Sequence, residues 1–337
     1  MNIREKIQVF ASLGNRIRNL SDEEFDQLAG KAYLGNRWFT DENIKRALSG
    51  IAYMLDLEKL ASWTAKYELE QGKTLNVGVI MAGNIPLVGF HDLMCVLLSN
   101  HRAIVKMSSQ DEPLTRWVID QLKDISPEIG KKIEVKEKLS DIEAVIATGS
   151  DNSSRYFEYY FGKYANIIRK NRTSVALLTG SESKEELLAL GEDVFSYFGM
   201  GCRNVSKLFV PAGYDFKPLL DIWQHYADVL DHYKYRNNYD YHKSILLVNR
   251  EPHLDTGFSL LKETDQLVSP LSVTYYEHYQ DLESAMKLLA ISSEKIQCIV
   301  SNTLHSDHVA FGQAQSPEPW DYADGIDTLD FLFRLSQ

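Results

Sequence analysis

Three times in the first half of the chain, a short β-branched apolar run ends in a small-residue turn and gives way to a helix-forming segment. Leu75-Asn76-Val77-Gly78-Val79-Ile80 leads through Met81-Ala82-Gly83-Asn84-Ile85-Pro86 into the apolar stretch 88–98. Arg102-Ala103-Ile104-Val105-Lys106 precedes the segment 113–123, with Pro113 suited to a first helical turn. Ala144-Val145-Ile146-Ala147 leads through Thr148-Gly149-Ser150 into 152–161. Short buried strands alternating with helices specify an α/β fold with a parallel, doubly wound sheet. Ligands of such sheets lie at the carboxyl ends of the strands, beside helix N-termini.

Residues 1 to about 70 read as helices with charged faces, and Ser21-Asp22-Glu23-Glu24 supplies an N-cap with an acidic first turn. A second α/β unit is expected from residue 174. It has a strand at Ser174–Leu178, a helix over 184–198, the loop Gly199-Met200-Gly201, then Cys202 and a strand at Lys207–Val210. Further strands are expected at 244–248, 273–276 and 298–300, and a loop or irregular helix over 231–242. The domains therefore read as 1–173, joined by a returning segment 305–337, and 174–304.

With 337 residues, 44% hydrophobic and 25% charged, the chain can bury cores without staples. Its eighteen tyrosines read as packing. Three widely spaced cysteines without a CxxC pair exclude a disulfide scaffold and a zinc site, so no metal is expected and a reducing, cytoplasmic setting is. The N-terminus has no signal-peptide pattern, and no apolar run reaches membrane-spanning length. A net charge of −11 argues against nucleic-acid binding, yet one cationic pocket suffices for a phosphate-bearing ligand.

Cys202 is the candidate nucleophile, because it follows a glycine loop and has Arg203 and Lys207 nearby in sequence to favour the thiolate. Cys95 and Cys298 lie in apolar runs and read as core. Taken singly, each other signal has an ordinary structural reading. Asn84 is a turn residue or an oxyanion donor; Lys106, Ser108 and Ser109 end a strand or cradle a phosphate; Thr148, Gly149 and Ser150 form a turn or an anion site.

In their order, these motifs resemble the aldehyde dehydrogenase superfamily, and within it the Lux-type acyl-CoA reductase (fatty acid reductase) family. The resemblance runs through Val77–Leu87, Ile104–Ser109, Thr148–Ser150, Gly199–Cys202, Leu267-Val268-Ser269-Pro270 and the ending Phe311–Pro317 with Trp320–Leu329. It implies an aldehyde-dehydrogenase-like fold of two doubly wound α/β domains with a helical N-terminal region. It also implies that Cys202 is acylated, that Asn84 donates to the oxyanion, and that Lys106, Ser108, Ser109, Thr148, Gly149 and Ser150 bind the cofactor.

NAD-preferring relatives carry a glutamate where this chain has Ser109, which implies NADPH. The water-activating glutamate of oxidising relatives is missing from Val175–Gly180, so reduction of an acyl-enzyme is expected over its hydrolysis; Glu182, just beyond, is the substitute base to examine. Gln266 replaces a ribose-binding glutamate and is given no such role. The expected substrate is a fatty acyl-CoA or acyl-protein thioester, with an acyl-transferring protein partner and homo-oligomers as further implications. The alternatives are an aldehyde-oxidising dehydrogenase and a non-catalytic nucleotide-binding subunit.

Overall fold

A computed structural model describes residues 1–67, 72–149, 151–303 and 308–336. The chain divides into two compact units, Met1–Asn171 with the segment from Pro317, and Arg172–Ser316. The expected return point at residue 305 lies outside the described residues. Residues 312–314 belong to the second unit, where the buried Asp193 accepts the Gly312 and Ala314 amides.

The first unit opens with four helices, α1 (Ile3–Arg18), α2 (Asp22–Gly35), α3 (Asp41–Met54) and α4 (Leu57–Thr64). Ser21 begins α2 with a capping box: it accepts from the Glu24 amide, and Glu24 accepts from the Ser21 amide in return. Then β1 (Asn76–Ile80), α5 (Phe90–Leu98), β2 (Arg102–Lys106), α6 (Glu112–Ile125), α7 (Pro127–Gly130), β3 (Ile133–Val135), β4 (Ala144–Thr148), α8 (Asp151–Phe161) and β5 (Ala165–Arg169) build a parallel sheet of order β3-β2-β1-β4-β5. After β3 the chain crosses to the far side of β1, so the winding direction switches between β1 and β4. Such a switch point is where doubly wound sheets bind their ligands. All eight residues of α5 other than His91 are buried, as its nearly continuous apolar sequence requires.

The second unit contains β6 (Thr173–Leu177), α9 (Lys184–Phe195), β7 (Val205–Pro211), α10 (Lys217–Trp223), α11 (Tyr233–Asn249), β8 (Leu254–Asp255), β9 (Leu260–Glu263), β10 (Val273–Tyr279), α12 (Leu282–Ile291), β11 (Ile296–Val300) and β12 (His308–Val309). The order is β12-β11-β6-β7-β10-β9-β8, parallel except for β8 against β9. The chain then rejoins the first unit through α13 (Thr328–Arg334).

Two expectations are corrected. Residues 244–248 are not a strand but the end of α11, and 231–242 are largely its beginning. The buried members Tyr235, Tyr239 and Leu246 are spaced for a helix, while Ile245, Leu247 and Val248 face solvent. A five-residue apolar window hid that longer period. The helix expected to reach 198 stops at Phe195.

Candidate functional site

In the first unit, Ile80 pairs with Lys106 on one side and with Ala147 on the other, so β1, β2 and β4 end level at one sheet edge. The loops that leave this edge carry Asn84, then Lys106, Ser108 and Ser109, then Thr148 and Gly149; Ser150 lies outside the described residues. Asn84, Lys106 and Ser109 are exposed, and Ser108, Thr148 and Gly149 are half-buried.

Close backbone approach fixes these loops. The Met81 amide donates to the Lys106 carbonyl at 3.1 Å. A Cβ on Gly83 would lie 2.4 Å from Ser108 Oγ, so only glycine lets the β1 loop pass over the β2 loop. At Gly149 a Cβ would lie 2.8 Å from both Ser153 Cβ and Phe157 Cε2, so glycine lets α8 start directly against β4. Asn36, at the end of α2, donates to the Gly83 carbonyl at 3.3 Å.

Asp111 is the unforeseen member. It is 1% exposed, and its Oδ2 accepts from the Leu87 amide at 2.9 Å and from Thr115 Oγ1 at 3.3 Å. Leu87 is held at φ 58°, a left-handed conformation costly for leucine. Asp111 thereby ties the Asn84 loop to the segment following Lys106. Its second oxygen has no protein partner, and burial pushes its pKa up to about 7.

In the second unit, Cys202 is exposed, whereas Cys95 and Cys298 are buried. Its setting begins where α9 stops. Asn204, 2% exposed, donates its side-chain amide to the carbonyls of Asp193 at 3.1 Å, Val194 at 3.4 Å and Ser196 at 2.8 Å, serving groups orphaned by the end of the helix. The next residues, Tyr197, Phe198 and Gly199, all have positive φ (52°, 58° and 80°). For the two non-glycine residues this costs about 1–2 kcal/mol each, offset by burial of Tyr197 and by the tilted contact of the Phe198 and His232 rings, whose centroids lie 4.5 Å apart.

Cys202 then sits at the second position of the turn Gly201–Asn204. Asn204 N–H donates to the Gly201 carbonyl at 3.0 Å, and Gly201 N–H donates to Asn204 Oδ1 at 2.8 Å. Ser174 Oγ holds the Cys202 carbonyl at 3.0 Å. Ser269 and Pro270, from the expected motif, line a cavity of about 30 Å³ with Phe198 and Gly199, and the Leu267 carbonyl accepts from Ser206 Oγ at 3.0 Å.

Two expected roles fail on geometry. Lys207 does not support a thiolate: it is 1% exposed and paired with Glu277 on the neighbouring β10. Glu182 does not act as a substitute base for Cys202. Its carboxylate accepts from the amides of Thr179 and Gly180 and from Thr179 Oγ1 at the carboxyl end of β6. Cys202 precedes the amino end of the parallel β7, so a strand length of roughly 16 Å, at about 3.3 Å per residue, separates the two. Arg203, the residue after Cys202, donates Nε to the Ala314 carbonyl. Among the described residues, no group of three His, Cys, Asp or Glu side chains is placed to hold a metal, and no helix is long and apolar enough to cross a membrane.

The profile of the acyl-CoA reductase (LuxC) family matches residues 15–212, a span that includes Asn84, Lys106, Thr148 and Cys202. A curated relative, long-chain acyl-protein thioester reductase 2 of Photobacterium leiognathi, is 23% identical over 202 residues; the match covers 54% of this chain and 41% of that protein, less than half its length. Among solved structures, a putative aldehyde dehydrogenase from Burkholderia cenocepacia superposes with a TM-score of 0.66 at 12% identity, over 91% of this chain and 75% of its own. A Pseudomonas syringae aldehyde dehydrogenase mutant, solved with NAD+ and octanal, gives 0.65 at 10% identity, over 94% and 74%. The fold is that of the aldehyde dehydrogenases, and the chain belongs to the acyl-CoA reductase (LuxC) family.

Proposed function

We propose that the protein reduces a fatty acyl-CoA, or an acyl-protein thioester, to the aldehyde with NADPH through an acyl-enzyme on Cys202. The observation that carries this reading is an exposed cysteine held in a turn whose backbone is hydrogen-bonded from three sides, in a chain whose other cysteines are buried. Membership of the family and the name of the curated relative support it.

The Cys202 thiolate attacks the thioester carbonyl, and the bond from that carbon to the carrier sulfur breaks, so the carrier leaves as its thiol after taking a proton. Asn84 is assigned the oxyanion donor, the role its motif implies. The cofactor, when bound, supplies a hydride to the acyl carbon. The thiohemiacetal on Cys202 then collapses to aldehyde and returns the thiolate. The involvement of Glu182 in its own turn supports reduction, since that carboxylate is engaged away from Cys202 rather than placed to drive hydrolysis of the acyl-enzyme.

The residues at the first unit's sheet edge suit a phosphorylated dinucleotide. At Gly83 the β1 loop packs directly on the Ser108 side chain, and Lys106 and Ser109 in the same β2 loop are exposed. Lys106 and Ser109 would meet a 2′-phosphate, with Ser108, Thr148, Gly149 and Ser150 completing the contacts. An acyl-transferring protein partner and self-association belong to the same proposal.

NADPH oxidation is followed with acyl-CoAs of increasing chain length, and the aldehyde is assayed directly. Chain-length-dependent NADPH consumption matched by aldehyde is expected. Acid formation from aldehyde and NAD+ without a thiol acceptor, with no NADPH consumption on any acyl-CoA, refutes the proposal. Asn84→Ala should slow acylation about 100- to 1,000-fold, the usual loss for one oxyanion donor.

A further inference from the structure

The ending motif that begins at Phe311 has no part in the chemistry above, yet its backbone is seized by residues around the nucleophile. Asp193, in the last turn of α9 and 0% exposed, accepts the Gly312 amide at 2.7 Å through Oδ2 and the Ala314 amide at 2.9 Å through Oδ1. Arg203, the residue after Cys202, donates Nε to the Ala314 carbonyl. Ala314 is therefore gripped at its N–H by Asp193 and at its C=O by Arg203. The Asp193 carbonyl in turn accepts from the Asn204 side chain, two residues after Cys202. These hydrogen bonds and the Arg203–Asn204 peptide bond close a ring from Asp193 to Ala314, Arg203, Asn204 and back, and Cys202 is the residue just before Arg203.

We infer that Asp193 is a positioning residue for Cys202: it locks the Gly312–Ala314 segment onto Arg203 and Asn204, and this lock sets the orientation and reactivity of the thiol. The inference rests on the reading of Cys202 as the nucleophile. Two neutral amides seldom repay the burial of a full charge, so a carboxylate here is an expensive way merely to hold a loop. Burial accordingly raises its pKa to about 7. The charged groups facing it are Glu192 on its own helix, which raises that value, and Arg203 from the Cys202 turn, which lowers it. Gly312, Gln313 and Ala314 bring no titratable group. The carboxylate thus gains its charge in the neutral range, facing the cation of the residue that follows Cys202.

The test is the second-order rate of Cys202 carbamidomethylation by iodoacetamide from pH 5.5 to 9 on the full chain; the buried Cys95 and Cys298 make the label specific. Asp193→Asn should slow alkylation about 10- to 100-fold, the scale of a small misplacement of a reacting group. It should also remove an inflection near pH 7 from the profile, which loss of stability alone does not do. Arg203→Met cuts the lock from its less buried side and should slow alkylation in the same way, which keeps the test valid if Asp193→Asn fails to fold. Folded variants that alkylate at the wild-type rate with an unchanged profile overturn the inference. If alkylation falls as expected but wild-type protein never forms an acyl-enzyme, the reductase reading fails and the lock stands.

Discussion

Asn204→Ala removes the side chain that ends α9 and closes the Cys202 turn. In the native protein its oxygen accepts one amide, from Gly201, and its two N–H groups serve three carbonyls, those of Asp193, Val194 and Ser196. The site is 2% exposed, so water does not replace these partners. Each buried polar group left unsatisfied costs about 1–3 kcal/mol. With the Gly201 amide and two carbonyl positions orphaned, the expected loss is about 3–5 kcal/mol. The left-handed residues Tyr197 and Phe198 lose the anchor that offsets their strain, which places the value toward the upper end. For a unit of this size each kcal/mol lowers the melting temperature by about 3–4 °C, so the transition of the second unit should fall by roughly 12–20 °C. Scanning calorimetry resolves it, with far-UV circular dichroism to confirm the fold below the transition. A drop of less than about 3 °C would refute the claim that this one amide holds the turn.

Further outcomes follow from the same geometry. Gly83→Ala places a Cβ 2.4 Å from Ser108 Oγ and 2.7 Å from Ser108 Cβ; it should cost about 1–3 kcal/mol and weaken NADPH binding by fluorescence titration, while Cys202 alkylation is unchanged. Glu182→Gln should leave the ratio of aldehyde to acid product unchanged, because that carboxylate holds its own turn and lies at the far sheet edge from Cys202. For pH dependence, Asp111 has a folded value near 7 against an unfolded value near 3.9, so the folded state binds the proton more tightly and stability falls as pH rises from about 4 to 7. His91 and His101 are lowered by burial and run the opposite way, equally in wild type and variant. The melting-temperature gap between wild type and Asp111→Asn should therefore narrow from pH 5 to pH 7.5, as read by scanning fluorimetry; a gap that widens contradicts the assignment.

What was legible in the sequence was local. The runs at 75–80, 102–106 and 144–147 are strands because β-branched residues fill both faces of a covered parallel sheet, and their turns announce the functional edge. Ser21 was readable as a cap because its partner, Glu24, is three residues away. The strand β3 is three residues long and leaves no periodic signal. In 244–248 the helical period emerges only with Tyr235 and Tyr239 included. The supporting site residues were hidden for one shared reason, sequence distance to the partner. Asp111 meets Leu87 across 24 residues, Lys207 meets Glu277 across 70, and Asp193 meets Gly312 across 119. An aspartate before Glu112-Pro113 resembles an ordinary helix cap, yet Asp111 makes no side-chain bond to its own helix's backbone. Lys207 looked like a cation for the thiolate because its neutralising glutamate arrives from another strand.

The account turns on whether Cys202 carries the acyl group. The direct measurement is intact-protein mass spectrometry after mixing the full chain with a long-chain acyl-CoA, before and after adding NADPH. One acyl adduct is predicted, mapped to the peptide containing Cys202, absent in Cys202→Ala and discharged as aldehyde when NADPH is added. Full aldehyde formation by Cys202→Ala, or an adduct on another residue that NADPH discharges, would contradict it.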